Sequence, residues 1–268
     1  MSARAAKRSV VCTLHVLMLF LVMNVYSDEA LKQLFIGGKY ADALKYAEDK
    51  LPIAERDAAT WAMLGIANED QGFVEKALAC YMVAMRNDEK NYEAQLGAAR
   101  VYNKLNQPES AMAMAKKAIA IKETGEASWE FAKAAIALNK AADAKSALEK
   151  VVETDKANIV AAKELGIIHF NAKDYKKAIP AMRSVYDAKA DGELALKLGR
   201  AYKSVNVPDS AAFFFNESLK DPKSAKPETS IDLARIYYQT EKFAEAAKQF
   251  SEINQEKLSA DDLYKTAI

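Results

Sequence analysis

The chain has 268 residues, of which 38 are Lys or Arg and 37 are Asp or Glu, so its formal net charge is +1 at pH 7. This near balance argues against nucleic acid as a partner, because nucleic-acid-binding domains normally carry a basic surface. Nine glycines and six prolines among abundant Ala, Lys, Glu and Leu are typical of a long helical chain and not of a sheet protein.

The first predicted element is residues 1–27, which differ from the rest of the chain. Three basic residues precede a mostly apolar run from Val10 to Val25, and acidic residues follow Ser27. This pattern predicts a secretory signal peptide that is cleaved after Ser27. The alternative is an uncleaved signal anchor, since the run is long for a signal core and short for a spanning helix.

Either interpretation places the remaining chain across a membrane, because the positive charges precede the apolar run. We therefore expect a periplasmic, envelope-associated or secreted protein that contacts a membrane only through its N-terminal segment, if that segment is retained. Removing the three basic residues of this segment leaves 35 basic and 37 acidic side chains, a net charge of −2.

Beyond this segment, alanine recurs at intervals of 33 to 35 residues. It stands at Ala43, Ala77, Ala111, Ala144, Ala178, Ala211 and Ala246. A period of this length is typical of stacked arrays in which one supersecondary unit is repeated. The sequence therefore predicts seven copies of one unit, and we number each copy so that this alanine is column 20.

Each unit contains signals for two antiparallel helices. An apolar residue at column 7 and a small residue at column 8 mark a first helix whose backbone can approach its neighbours closely, as at Leu64 and Gly65. Column 17 begins the second helix, where proline is tolerated because the first helical turn has no partner for its N–H. That column holds Tyr40, Val74, Pro108, Ala141, Tyr175, Pro208 and Phe243.

The second unit shows the full pattern at columns 4, 7, 8, 20, 24 and 27, which hold Trp61, Leu64, Gly65, Ala77, Tyr81 and Ala84. This pattern resembles the tetratricopeptide repeat (TPR), and the resemblance covers roughly residues 24–257. It implies an all-α, right-handed α-solenoid of about seven helix-turn-helix units, followed by a short C-terminal helix. The units are expected in an array over residues 28–257, near 24–57, 58–91, 92–124, 125–158, 159–191, 192–226 and 227–257.

Residues 258–268 are predicted to form the C-terminal helix or the start of an eighth unit. Ser259 is a suitable helix cap, and Asp261 and Asp262 would lie in the first turn. Repeat arrays normally end on a helix with a polar outer face. Either this helix is a minimal cap, or another copy or another protein covers the last apolar edge.

The sequence contains no pattern that indicates catalysis, so we predict that the chain is not an enzyme and needs no cofactor or metal. His169, the single histidine beyond the N-terminal segment, stands at column 11, where it is expected to be a packing residue. Cys80 is the single cysteine there and is expected to pack as a small apolar residue. No phosphate-binding glycine loop or paired-cysteine metal spacing occurs.

In TPR proteins the first helices line a concave groove, with columns 2, 5, 9, 12 and 13 facing it. Column 9 is basic in five of the seven units, at Lys32, Arg100, Lys133, Arg200 and Arg235. Column 12 adds Phe35, Asn103, Phe170, Lys203 and Tyr238. We call these ten residues the groove set.

Cations flanked by aromatic and amide groups can bind a peptide or protein, preferably an acidic one, through charge-assisted hydrogen bonds and apolar contacts. The alternative is that these are ordinary surface charges, partly neutralised by acidic residues in the same columns such as Glu69 and Glu126. We therefore predict an exported scaffold or adaptor that binds a protein partner in the groove. Two alternatives are a membrane-anchored organiser of an envelope secretion or polysaccharide machine and the recognition subunit of an enzyme complex.

Overall fold

The computed structural model describes residues 28–266, and within that range all regular structure is helical. The predicted signal segment, residues 1–27, lies outside the described residues. The α-helices are α1 (Glu29–Ile36), α2 (Tyr40–Lys50), α3 (Ala58–Asp70), α4 (Val74–Asn87), α5 (Tyr92–Lys104), α6 (Pro108–Ile121), α7 (Gly125–Ala137), α8 (Ala141–Thr154), α9 (Ile159–Asn171), α10 (Tyr175–Ala188), α11 (Gly192–Ser204), α12 (Pro208–Leu219), α13 (Pro227–Gln239), α14 (Phe243–Ser251) and α15 (Ala260–Thr266). Short 3₁₀ turns follow α2 at Ile53–Glu55 and α14 at Gln255–Lys257.

The helices alternate as first and second helices of seven repeats, and the prediction for where each second helix begins is confirmed. All seven even-numbered helices, α2 to α14, start at the column-17 residue. Pro108 and Pro208 occupy the first helical position, where the missing N–H costs no intrahelical bond. Each odd-numbered helix from α1 to α13 is the first helix of a repeat, and α15 follows as the predicted short C-terminal helix.

Polar caps begin six of the seven first helices in these hairpins. In each case a side-chain oxygen accepts a hydrogen bond from the backbone N–H three residues further on, at 2.7 to 3.1 Å. The capping residues are Asp28, Asp57, Asn91, Thr124, Asn158 and Asp191. Such caps satisfy helix-end donors that have no intrahelical acceptor. Only Lys226, before α13, makes no such bond in this set.

The turn inside each hairpin requires one residue with positive φ. The position is always column 15: Gly38, Gly72, Asn106, Asn139, Lys173, Asn206 and Glu241, with φ between 54° and 80°. The next residue donates its N–H to the carbonyl five residues earlier, as from Lys39 to Leu34 at 2.9 Å. This is the Schellman arrangement that ends helices, and it favours Gly or Asn at the left-handed position. Lys173 and Glu241 therefore occupy a conformation that costs free energy for their residue types.

By their internal contacts the described residues divide into two compact units, an N-terminal unit up to residue 147 and a C-terminal unit from residue 148, and the division falls within α8. The core of the N-terminal unit includes Tyr81, which is fully buried among alanines from α3 to α5. A Cβ added to Gly65 would lie 2.5 Å from the Tyr81 ring, and one added to Gly97 would lie 2.2 Å from it. Glycine at these two positions is therefore what admits the ring between α3 and α5.

The C-terminal unit uses the same small-against-large packing. A Cβ on Gly199 would lie 2.5 Å from the Phe215 ring, and one on Gly166 would lie 2.7 Å from Met182 Cγ. Phe214 is also fully buried, and Tyr202 stacks on it with ring centroids 5.5 Å apart. Column 8 must therefore be small, because a bulky side chain from the second helix fills the space beside it.

The C-terminal helix α15 is capped as the sequence predicts. The Asp262 N–H donates to Ser259 Oγ at 3.1 Å, while the Ser259 N–H donates to Asp262 Oδ2 at 3.2 Å. This reciprocal pair is a capping box with Asp at its third position.

Across residues 28–266 no helix has the length and apolarity required to cross a bilayer.

Candidate functional site

Arg100, on α5, is the most fully partnered cation of the groove set. Its Nε donates to both oxygens of Glu69 at 2.8 and 3.0 Å, and its Nη1 donates to Glu126 at 2.7 Å. Lys104 adds a bond of 2.6 Å to Glu69. The four side chains come from α3, α5 and α7, so this charge cluster connects the first helices of three successive repeats.

The pKa values in this cluster follow from burial and pairing. Burial by itself raises the pKa of Glu69, but the charges and hydrogen bonds of Arg100 and Lys104 outweigh it, and the net pKa is lowered. Burial raises the pKa of Tyr81, whose hydroxyl donates to Glu69 at 3.0 Å. Burial disfavours the charge on Arg100, but Glu69 reverses this effect and the pKa of Arg100 is raised. Arg100 and Glu69 are therefore charged at neutral pH and stabilise each other.

The other column-9 cations of the N-terminal unit are paired within their own helices. Lys133 Nζ lies 2.7 Å from Glu130 and 5.8 Å from the centre of the Trp129 ring. Lys32 lies 3.9 Å from Glu29, which is a weak and partly exposed contact. Lys133 is thus held in place, while its side chain is still 33% exposed.

In the C-terminal unit the two column-9 arginines differ. Arg235 makes a bidentate pair with Asp262, at 2.8 and 2.6 Å, which ties α13 to α15. The Arg235 guanidinium, together with the Ser259 bonds, holds the pKa of Asp262 well below its usual range. Arg200 is exposed and makes no ion pair within residues 28–266. It is the column-9 residue most accessible to a partner in this unit.

The column-12 members of the groove set also differ in accessibility. Asn103 donates to the backbone oxygen and the carboxylate of Glu130, at 2.9 and 2.8 Å. Lys203 bonds Asp232 at 2.6 Å and is 44% exposed. Phe170 and Tyr238 are half-buried, and each makes an edge-on contact with the aromatic residue at column 17 of its own repeat.

Phe35 differs from the expectation that it lines an accessible surface. Its side chain is only 3% exposed and packs with Leu31 and Ala43 in the core. The ring meets Tyr40 edge-on, with centroids 5.2 Å apart. In this structure Phe35 is an interior residue, because the first hairpin closes over it.

The residues considered for chemistry have packing roles. His169 is buried, with Nδ1 3.5 Å from Asp174. Cys80 is half-buried, it accepts a weak bond from Asn68 at 3.8 Å, and burial raises the pKa of its thiol. A raised thiol pKa lowers the thiolate fraction and hence the reactivity. Within the described part of the chain no cluster of His, Cys, Asp and Glu could hold a metal ion.

Sequence reasoning missed the specific pairing between repeats. Asn103 at column 12 contacts Glu130 at column 6 of the next repeat, and Lys203 contacts Asp232 in the same relation. The pairs can be found by comparing columns 9 and 12 of one repeat with columns 2 and 6 of the next repeat. These positions are neighbours because successive first helices pack side by side. Reading each column separately, as the groove set does, does not show these pairs.

Stacked helical hairpins with small residues at fixed crossings, and polar side chains bridging successive first helices, define an α-solenoid. Family models described as tetratricopeptide repeat match residues 92–124 and 130–193. Over these two stretches the sequence matches the tetratricopeptide repeat, in agreement with the column pattern.

Solved structures share this fold. The TPR protein YrrB, described as having an unusual peptide-binding site, has a TM-score of 0.59 and 19% identity, covering 69% of this chain and 95% of its own. MamA has a TM-score of 0.52 and 21% identity, covering 59% of this chain and 93% of its own. A TPR protein from Parabacteroides merdae ATCC 43184 has a TM-score of 0.51 and 17% identity, covering 89% and 95%.

Because these identities are low, the likeness extends to the fold alone. No curated protein is significantly similar to this chain in sequence.

Proposed function

We propose that this protein is an exported, non-enzymatic scaffold that binds a protein partner on the exposed side of its first helices. The observation that carries the proposal is the repeated TPR hairpin itself, since proteins built from such repeats generally serve as interaction scaffolds. Solenoids present extended surfaces that suit such binding.

The pairing pattern divides the groove set into two roles. Arg100 and Arg235 join repeats through buried or bidentate ion pairs, so their main contribution is to the rigidity of the array. The side chains of Lys133 and Lys203 are partly exposed, and Arg200 is exposed. We propose that Lys133 in the N-terminal unit contacts an acidic part of the partner. In the C-terminal unit we propose the same role for Arg200 and Lys203, with Phe170 and Tyr238 as aromatic contacts.

Site-specific photo-crosslinking tests this surface. A benzoylphenylalanine is placed at Lys133 or Arg200 on first helices, and at Lys116 or Lys177 as exposed second-helix controls. We expect partner adducts from the first-helix positions at several times the yield of the controls. Adducts that form mainly from Lys116 and Lys177 would move the binding surface to the second helices and refute the proposal.

Export is proposed from the N-terminal segment. Intact-mass measurement of the native protein separates the two outcomes: a chain that begins at Asp28 supports a cleaved signal peptide and a released scaffold. A chain that retains residues 1–27 favours the membrane-anchored organiser.

Turnover of a peptide or glycan by the purified chain would contradict the non-enzymatic proposal, and activity that appears only with a second subunit would favour the recognition-subunit alternative.

A further inference from the structure

Three neighbouring turns in the C-terminal unit expose apolar side chains. These turns join the two helices of the fifth, sixth and seventh repeats, at residues 172–177, 205–209 and 240–245, and we call them turns 5, 6 and 7. Val205 and Val207 of turn 6 are 36% and 41% exposed, and Phe243 of turn 7 is 49% exposed. Exposed apolar side chains grouped in this way indicate an interaction surface. None of the three belongs to the groove set.

Contacts between repeats hold the three turns side by side. Lys242 Nζ of turn 7 lies 3.0 Å from Asp209 Oδ1 of turn 6. Tyr175 of turn 5 packs against the same core cluster as Tyr202, which lies three residues before turn 6. The three turns therefore form one edge of the C-terminal unit, in the order 5, 6, 7.

The charge along this edge changes sign from one end to the other. Turn 5 carries three lysines and one aspartate, a net charge of +2: Lys173, Lys176, Lys177 and Asp174. In turns 6 and 7 the pair between Lys242 and Asp209 is neutral, which leaves the exposed Glu241 and Glu245 and a net charge of −2 in turn 7. The edge is therefore basic at one end, apolar in the middle and acidic at the other end.

The backbone points to a role for the two end charges. Lys173 and Glu241 occupy the left-handed position of turns 5 and 7, with φ of 60° and 59°, whereas the other five repeats have Gly or Asn there. Lys and Glu are costlier in this conformation than Gly or Asn. Residues held in a costly conformation are candidates for a function outside folding.

We propose that this edge binds a second copy of the chain about a two-fold axis through turn 6. A two-fold axis places turn 5 of each copy opposite turn 7 of the other, and turn 6 opposite turn 6. Lys173 then meets Glu241 of the second copy at both ends of the contact. Val205 and Val207 meet their own counterparts in the centre, and Phe243 adds apolar area beside them. An edge with one sign of charge throughout would repel its own copy, and the change of sign removes that repulsion.

The expected dimer is weak, because three turns offer little area compared with the roughly 1,200–2,000 Å² that a stable interface buries in total. We expect a reversible dimer with a Kd of about 10–100 µM. Added salt should weaken it, since the charges that meet are exposed.

Charge reversal at column 15 tests the pairing without introducing a new backbone strain. Lys173→Glu and Glu241→Lys each place at this column a residue type that the chain already holds there with positive φ. Lys189→Glu is the matched control, because Lys189 is exposed and follows the far end of α10 from turn 5. Sedimentation velocity of the full-length chain measures the Kd of self-association, and thermal unfolding checks that each variant is folded.

We expect each single reversal to weaken self-association about tenfold, because like charges then meet at both ends of the contact. An equimolar mixture of the two variants should associate within about threefold of the wild type, because a mixed pair has opposite charges at both ends. Lys189→Glu should also stay within about threefold of the wild type. Association through residues 1–27 would be equal in all these proteins and would not give this pattern.

A wild type that stays monomeric up to about 0.5 mM would overturn the proposal. Single reversals that associate like the wild type would do the same, as would a mixture that associates no better than its components. An equal loss in Lys189→Glu would also overturn it, because the effect would then follow net charge and not position. The scaffold proposal is tested separately, by photo-crosslinking on the first helices.

Discussion

Gly97 lies close to the Tyr81 ring, so the effect of Gly97→Ala on the free energy of unfolding should depend on the side chain at position 81. We expect a loss of stability beside tyrosine and a gain beside leucine. A Cβ at Gly97 would lie 2.2 Å from Tyr81 Cζ. The ring cannot move aside, because Gly65 of α3 limits its other side and its hydroxyl is bonded to Glu69 at 3.0 Å. We therefore expect Gly97→Ala to be destabilising, although alanine is the better helix former.

The magnitude follows from two opposing effects. Overpacking a filled core costs about 1–3 kcal/mol, and the short distance indicates the upper part of that range. Replacing a helical glycine by alanine gains about 1 kcal/mol. The net loss in the free energy of unfolding should be about 1–2 kcal/mol. With Tyr81→Leu already present, the clash disappears, and the same substitution should stabilise by about 0.5–1 kcal/mol.

The four proteins of this double-mutant cycle are the wild type, Gly97→Ala, Tyr81→Leu and the double variant. Urea unfolding followed by far-UV circular dichroism measures the change in the free energy of unfolding that Gly97→Ala causes in each background. An interaction energy near zero, or a stabilising Gly97→Ala in the wild-type background, would refute the idea that glycine is required there to admit the ring. Comparing each substitution within its own background controls for the loss of the tyrosine itself.

Three further predictions follow from the turns and the ion pairs. Lys173→Gly and Glu241→Gly should each raise the free energy of unfolding by about 0.5–1 kcal/mol, measured by urea unfolding, because both residues have positive φ; a loss of stability would contradict this. Arg100→Met should destabilise by about 3 kcal/mol by leaving Glu69 buried beside Lys104 alone, and Glu69→Gln in the same chain should recover part of the loss. Because the folded pKa of Asp262 is depressed, its stabilisation is complete at neutral pH and is lost as pH falls below the ordinary Asp value of about 4. Asp262→Asn should therefore lower Tm at pH 7 and have a smaller effect near pH 2, and an equal effect at both would refute the pairing argument.

Much of the fold was decided by features that are local in the sequence. The alanine period defines the hairpins, and column 17 marks where each second helix begins, because both depend on contacts within one or two repeats. The caps of the first helices and the left-handed turns were not predicted, although residue type favours them: Asn91 caps α5 and Asn106 has positive φ, as short polar side chains allow.

Other features depended on the tertiary structure. Arg100 and Arg200 share column 9, and the sequence by itself makes them equivalent. Arg100 is enclosed because Glu69 and Glu126 reach it from the repeats on either side, whereas Arg200 is exposed without an ion pair in the part of the chain that the structure describes. The sequence determined the repeating hairpin, because hairpin formation uses short-range contacts. The tertiary structure decided which cations are accessible, because long side chains select partners according to how successive helices are placed.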